Sequence, residues 1–172
     1  NGINILLTAP WHSLRSSCKP SYSAGTPRYQ IVDGQAKLSG VCAGNGFFYK
    51  VLRHSYVYNL VRDIVIKTGE IHDRDIALYL AIIKSIAVET VKNNSQLVVA
   101  FIKATDNQLL KTRWTNQTIV NEISSIASAL IDVSLSPNRE DLDPKYYIHF
   151  LDQHPSAEAN IERAKLISRE LK

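Results

Sequence analysis

Apolar residues along the chain form three short continuous runs, which predict strands. The runs lie at 3–8, 96–103 and 130–133, and each is rich in aliphatic side chains. Runs of this kind are typical of strands that are buried on both faces of a parallel sheet. We therefore predict parallel strands at 3–8, 97–102 and 130–133, and we expect the first of them to be buried on both sides.

Longer stretches with helical periodicity separate these runs. They predict a helix over 47–66, a second over 73–93 capped by Asp73, a third around 119–127 and a last one ending near Leu171. The second helix has a stripe expected to be buried, made of Ile76, Leu80, Ile83, Ala87 and Val91. The last helix has a similar stripe, made of Ala157, Ile161, Ala164, Ile167 and Leu171.

Residues 13–43 interrupt this alternation as an insertion. Within it, the apolar segments 29–32 and 36–38 flank Asp33-Gly34. Asp-Gly between two apolar segments is a strong signal for a tight β-hairpin turn.

The predicted order is strand, insertion, two helices, strand, helix, strand, loop and helix. Such alternation predicts an α/β fold, with a parallel sheet between two layers of helices. A chain of 172 residues is long enough to form one domain with its own core, so we assign 1–172 to a single domain.

Composition and motifs exclude several classes of function. The net charge of +4 is spread along the chain without a basic run, which argues against a nucleic-acid surface. No apolar run approaches the length of a membrane span. Neither a glycine-rich dinucleotide fingerprint nor a P-loop occurs. No metal or other cofactor is predicted, because His54 and His72 have no acid or cysteine at ligand spacing.

The chain opens directly on its first predicted strand and contains no methionine. We interpret it as a fragment whose upstream residues, with any signal peptide, are absent. Cys18 and Cys42 bracket the loop-rich part of the insertion. We predict that they form one disulfide of an exported protein, the alternative being two unrelated free thiols.

The densest functional signal is the block Asp152-Gln153-His154-Pro155-Ser156-Ala157-Glu158, near the C-terminal end. Pro155 suits a first helical position, so we expect Asp152 and His154 on a loop that a docked helix holds in place. The alternative is a polar loop that merely decorates the start of a helix.

This block resembles the last conserved block of the SGNH (GDSL-type) hydrolases. The resemblance implies that His154 is the general base for a serine nucleophile and that Asp152 orients it, although the family usually has two residues between the acid and the histidine. It also implies the second half of a flavodoxin-like sheet, its third to fifth strands. A Pro-Arg-Tyr segment followed by the Asp-Gly hairpin, at 27–39, resembles an insertion of bacterial exported members.

The family's Gly-Asp-Ser and Gly-x-Asn-Asp blocks are both missing. The resemblance therefore implies that the serine lies on the absent upstream segment. Where the Asn block would supply an oxyanion donor, this chain has Ala-Pro-Trp-His, so we name His12 as the candidate donor, Trp11 as the second and Arg15 as a substrate-binding candidate. The alternative is that Trp11 packs under the loop and His12 is solvated.

The implied activity is hydrolysis or transfer of an ester-linked acyl group on a carbohydrate or lipid, outside the cytoplasm. We expect the strand at 3–8 to associate either with a cleaved N-terminal segment or with another copy of the chain. The alternative, from a different class, is a non-catalytic α/β module that holds glycans.

Overall fold

The computed structural model describes residues 2–19, 25–42, 55, 57, 70–135, 146–149 and 152–172. The strands are β1 (Gly2–Thr8), β2 (Pro27–Val32), β3 (Gln35–Val41), β4 (Ser95–Phe101), β5 (Ala129–Asp132), β6 (Tyr147–His149) and β7 (Asp152–Pro155). The α-helices are α1 (Ser13–Ser16), α2 (Asp73–Lys92), α3 (Asp106–Leu109), α4 (Asn116–Ile126) and α5 (Ala157–Glu170). Apart from 55 and 57, the helix predicted at 47–66 lies outside the described residues.

The central sheet has the order β1-β4-β5, and both pairings are parallel. Gly2 pairs with Ser95 and Thr8 with Phe101, so β1 and β4 match over their whole length. In sequence, α2 connects β1 to β4 and α4 connects β4 to β5, as parallel neighbours require. The prediction of three parallel strands is confirmed.

The two faces of β4 contact different helices, because successive side chains of a strand point to opposite sides. Leu97, Val99 and Phe101 belong to the main core cluster, which contains the buried residues of α2 and α4. Val98 and Ala100 belong to a second cluster, together with Ile131 and Val133 of the β5 region and Leu166 and Ile167 of α5. The sheet therefore lies between two layers of helices, as expected for an α/β fold.

β1 departs from its prediction, because one of its faces is bare. Ile3, Ile5 and Leu7 are 54%, 49% and 45% exposed. Ile5 and Leu7 pair in register with Val98 and Ala100, so this stripe lies on the α5 side of the sheet. The expected burial on both faces is wrong, because the α5 residues that cover β4 and β5 do not reach β1 in the part of the chain that the structure describes.

The insertion contains the predicted hairpin. β2 and β3 pair antiparallel, and Asp33 and Gly34 connect them. Their φ angles are 53° and 73°, and two positive φ values in a two-residue connection are the mark of a type I′ turn. Cys18 and Cys42 are bonded to each other, with their Cα atoms 5.4 Å apart, so the disulfide joins the end of α1 to the end of β3 and its prediction is confirmed.

α2 buries most of its predicted stripe. Ile76, Leu80, Ile83 and Ala87 are buried, but Val91 is exposed near the end of the helix. His72, and not Asp73, occupies the N-cap position. The His72 amide donates to Oδ2 of Asp75 at 2.8 Å, and Asp73 instead accepts from the amide of Arg113 at 2.9 Å. Asp73 is therefore not the N-cap, and Asp75 at the third helical position instead binds the amide of the N-cap residue.

The third helix and strand agree with their predictions within a few residues. Ile119 and Ile123 of α4 are completely buried. β5 begins one residue earlier than predicted, and Val133 follows it rather than ending it. The Val133 amide still donates to the carbonyl of Phe101, so the chain runs beside β4 beyond the last β5 pair.

The C-terminal region differs most from the prediction. Asp152–Pro155 is a strand, β7, paired antiparallel with β6, and not a loop. Pro155 pairs with Tyr147, and the helix starts only at Ala157, with Ser156 as its N-cap. The predicted first helical position of Pro155 is therefore wrong.

The buried face of α5 also differs from the predicted one. Ala159 and Arg163 are buried, and Leu166 and Ile167 pack against the second cluster. Of the predicted stripe only Ile167 contacts that core, because the helix presents an adjacent face to the sheet. The remaining members are exposed: Ala157, Ile161, Ala164 and Leu171. Within the described residues, no helix is both long and apolar enough to cross a membrane.

Candidate functional site

The carboxyl edge of the sheet is where an α/β fold of this kind binds its ligands. All three strands end there, because they are parallel. Trp11 and His12 follow β1, Lys103 follows β4, and Asp132 and Ser134 lie at the end of β5. The sequence candidates at 11 and 12 therefore lie on the edge where they were expected.

The chain leaves β1 through a tight turn. Pro10–His12 is one turn of 3₁₀-helix, in which the amide of His12 donates to the carbonyl of Ala9 at 3.0 Å. Pro10 is buried, whereas Trp11 and His12 are partly exposed. The two rings meet edge to face at 5.9 Å between centroids. Trp11 also packs against the main core cluster, so it combines the packing role with an exposed edge.

One polar contact joins His12 to the strand that precedes it. Its Nδ1 lies 3.5 Å from Oγ1 of Thr8, one turn earlier in the chain. Thr8 is almost completely buried, and so is Tyr79 of α2. Burial raises the pKa of the Tyr79 hydroxyl, and the neighbouring Thr8 side chain lowers it by less. Tyr79 consequently remains a neutral hydroxyl throughout the physiological pH range.

Of the serines that directly follow β1 and that the structure describes, Ser13, Ser16 and Ser17, none is presented as a nucleophile. Ser13 is completely buried, and within the described residues its hydroxyl has no hydrogen-bond partner. The hydroxyls of Ser16 and Ser17 donate to the carbonyls of His12 and Ser13, one turn back. Arg15 lies between Ser13 and Ser16 in the chain and is exposed on α1, about one turn after His12.

A second polar cluster joins the ends of β4 and β5. Nζ of Lys103 lies 2.5 Å from Oδ2 of Asp132. The amide of Lys103 donates to Oγ of Ser134, whose own amide donates to Oδ1 of Asp132. Burial raises the pKa of Asp132, but the hydrogen bonds from Lys103 and Ser134 outweigh it, so the pKa lies below its ordinary value. The carboxylate is charged and paired, which suits a structural tie between the two strand ends.

Asp152 and His154 occupy alternate positions of β7, as far as the backbone describes them. The C-terminal end of this strand is anchored through Ser156. The amide of Ser156 donates to the carbonyl of Tyr146 at 2.9 Å, and Oγ of Ser156 accepts from the amide of Ala159 at 3.2 Å. The pairing of the Asp152 carboxylate with the His154 imidazole, and the approach of either to His12, stay predictions.

The sequence did not indicate the buried Thr8 and Tyr79 near the end of β1, nor the polar groups that join β4 to β5. Tyr79 was not in the predicted stripe, but it lies three residues after Ile76 and directly before Leu80, and that position beside the stripe was the signal for a buried phenol. Lys103 and Asp132 end the two later strands, and their opposite charges at one sheet edge could have been paired.

The described part of the chain contains no group of three or more His, Cys, Asp or Glu residues that could hold a metal ion. Comparison of the chain with protein-family models, with curated proteins and with solved structures found no match.

Proposed function

We propose that this chain is the C-terminal part of an SGNH-type serine hydrolase or acyl transferase that acts on an ester-linked acyl group. The observation that carries the proposal is the block from Asp152 to Glu158 ahead of a capped helix, after the last strand of a parallel sheet. The sheet, its order of elements and the anchored block are each compatible with the third to fifth strands of such a fold.

In the proposed reaction, the hydroxyl of a serine on an upstream segment attacks the ester carbonyl. His154 takes the serine proton and returns it to the leaving alcohol, while Asp152 holds the imidazole in the correct tautomer and stabilises its charged form. His12, at the carboxyl end of β1, donates a hydrogen bond to the oxyanion, and Trp11 and Arg15 contact the substrate.

The substrate class is an O-acylated carbohydrate or lipid, and the protein works outside the cytoplasm. The Cys18–Cys42 disulfide supports that location, because such bonds persist in oxidising compartments. The described serines directly after β1 do not compete for the role of nucleophile: Ser13 is buried, and Ser16 and Ser17 donate to backbone carbonyls.

The test is hydrolysis of p-nitrophenyl acetate by the product of the complete reading frame. His154→Ala should lower kcat/KM by at least about 100-fold, which is the usual size of a lost general base. The matched control is His72→Ala, since His72 is exposed and lies at the start of α2. Equal activity in the wild type and in His154→Ala, with both proteins folded, would reject the hydrolase.

A non-catalytic glycan-binding module is the second candidate. The partly exposed Trp11, followed four residues later by the exposed Arg15, favours it, because an aromatic ring and a hydrogen-bond donor near a sheet edge suit a sugar ring. Binding of an acetylated oligosaccharide that Trp11→Ala abolishes, without release of acetate by the complete protein, would select this module over the hydrolase.

A further inference from the structure

Two buried hydroxyl groups are neighbours at the carboxyl end of β1, close to the turn that contains His12. Thr8, the last residue of β1, and Tyr79 of α2 are each only 4% exposed. The Pro10–His12 turn also lies against α2, so the strand end, the turn and the helix meet at this place. Buried polar groups are normally hydrogen-bonded, and the partners of these two hydroxyls therefore carry information about the site.

The Thr8 hydroxyl is the shared neighbour of Tyr79 and His12. Within the described residues, the Thr8 side chain makes one hydrogen-bond contact, a long one of 3.5 Å from Oγ1 to Nδ1 of His12. This contact can run in either direction, because a hydroxyl and a neutral imidazole nitrogen can each donate or accept. The Tyr79 hydroxyl meets no described group in hydrogen-bond geometry, but Thr8 is close enough to affect its pKa. The oxygen of Thr8 is consequently the acceptor on hand for the phenol proton.

The number of buried protons decides the direction of the contact with His12. If Nδ1 carried the imidazole proton, three protons would share the two hydroxyl oxygens, and the proton of either Thr8 or Tyr79 would have no acceptor. If Nδ1 is unprotonated, Tyr79 donates to the Thr8 oxygen, Thr8 donates to Nδ1, and each buried proton has an acceptor. A buried donor without an acceptor is costly, so the second arrangement is the more stable one. Donation from Tyr79 also makes Thr8 a stronger donor, because hydrogen bonds in a chain polarise one another.

We propose that Thr8 is a positioning residue that holds neutral His12 in the tautomer protonated on Nε2, and that Tyr79 reinforces it by donating to the Thr8 oxygen. His12 is partly exposed at the edge where a fold of this kind binds its ligands. The tautomer gives its ring a neutral N–H donor on Nε2 at that edge. The use of this donor for an ester oxyanion rests on the proposed function, whereas the tautomer itself does not.

The first test measures the tautomer from the ¹⁵N chemical shifts of the His12 ring at about pH 8, where an imidazole of ordinary pKa is neutral. The His12 signals are identified by their absence from the spectrum of His12→Gln. We expect the form protonated on Nδ1 to be at least about fivefold less populated than in free histidine, since it leaves one buried donor unpaired. An equal or larger population than in free histidine, or a ring protonated on both nitrogens at this pH, would overturn the proposal.

The second test changes the two hydroxyls one at a time and together. Thr8→Val should return the tautomer population of His12 to that of free histidine, and Thr8→Ser, which keeps the hydroxyl, should preserve the wild-type population. Thr8→Ala takes the place of Thr8→Val if the valine variant does not fold. Tyr79→Phe should shift the population in the same direction by less, and it should add nothing in the Thr8→Val background, because Tyr79 acts through Thr8. The matched control is Tyr29→Phe, on β2, which should leave the His12 signals unchanged.

The results that would contradict the proposal differ from those that would reject the hydrolase. An unchanged tautomer in Thr8→Val would overturn the role of Thr8. An effect of Tyr79→Phe that persists in the Thr8→Val background would overturn the path through Thr8. Either result would stand even if the esterase assay succeeds, and failure of the esterase assay alone would leave the tautomer and its two positioning hydroxyls in place.

Discussion

Reduction of the Cys18–Cys42 disulfide should destabilise the protein by an amount that follows from its loop length. The bond spans a sequence separation of 24 residues. Closing a loop of that size removes chain entropy from the unfolded state worth about 3.5 kcal/mol at 25 °C. For a protein of this size, that corresponds to a fall in Tm of roughly 7–14 °C.

The folded protein gives the bond a defined role. Cys42 is almost completely buried, and it exchanges backbone hydrogen bonds with Gly25 and Thr26 on the other arm of the insertion. Lys19, which follows Cys18, pairs with Asp75 of α2. The disulfide therefore connects the hairpin to a segment that is itself fixed to α2, and its loss should free the hairpin as well as destabilise the whole fold.

The assay is thermal unfolding with and without a reductant, accompanied by thiol alkylation of the native protein. The matched control is the double variant Cys18→Ala/Cys42→Ala. Its Tm should equal that of the reduced wild type and should not change when the reductant is added. Two alkylatable thiols in unreduced native protein would refute the bond and weaken the case for export. A bonded protein whose Tm does not fall on reduction would refute the entropic reasoning.

Two further predictions concern ion pairs that the structure makes visible. Lys19→Met should lower the free energy of unfolding, measured by urea denaturation, by about 3 kcal/mol, because it leaves the carboxylate of Asp75 buried at 3% exposure without its cation. Asp75→Asn should lower it by less, because the Lys19 side chain is 36% exposed and can be hydrated. Equal losses in the two variants would contradict this prediction. Asp132→Asn should lower stability at pH 7 by less than about 1 kcal/mol, since the pair is partly exposed. The Asp132 pKa lies below its ordinary value of 3.8, so its contribution is present above that pH and is lost as the pH falls through the folded-state pKa. The difference between variant and wild type should therefore vanish towards pH 2, and a difference that grows on acidification would refute the sign.

Local sequence determined the elements whose geometry depends on neighbouring residues. Asp33-Gly34 could be assigned to a hairpin turn because few residues accept positive φ at two consecutive positions. The α2 stripe from Ile76 to Ala87 could also be predicted locally, because helical periodicity brings those side chains to one face. The parallel pairing of the three strands followed from the helices between them.

The sequence predicted where the candidate site lies, but only some of the residues that form it. The position of His12 at the carboxyl end of β1 followed from the order of elements. Its neighbour Thr8 also interacts with Tyr79 of α2, and only the packing of α2 against the sheet brings Tyr79 and Thr8 together. The same holds for Lys103, which follows β4, and Asp132, the last residue of β5. They lie 29 positions apart in the chain and meet through the β4–β5 register.

Tertiary structure alone decided which apolar faces are covered. The pattern marks Ile5 and Ile161 as apolar, but it does not say whether a neighbour reaches them, and both are about half exposed. Ala159 and Arg163 are buried instead, because the small alanine allows close approach and an arginine can bury its aliphatic stem against a core. The propensity of proline likewise predicts a helix start at Pro155, yet Pro155 pairs with Tyr147 and is the last residue of β7. Periodicity fixes the positions that share a face, and only the packing of distant segments determines which face is buried.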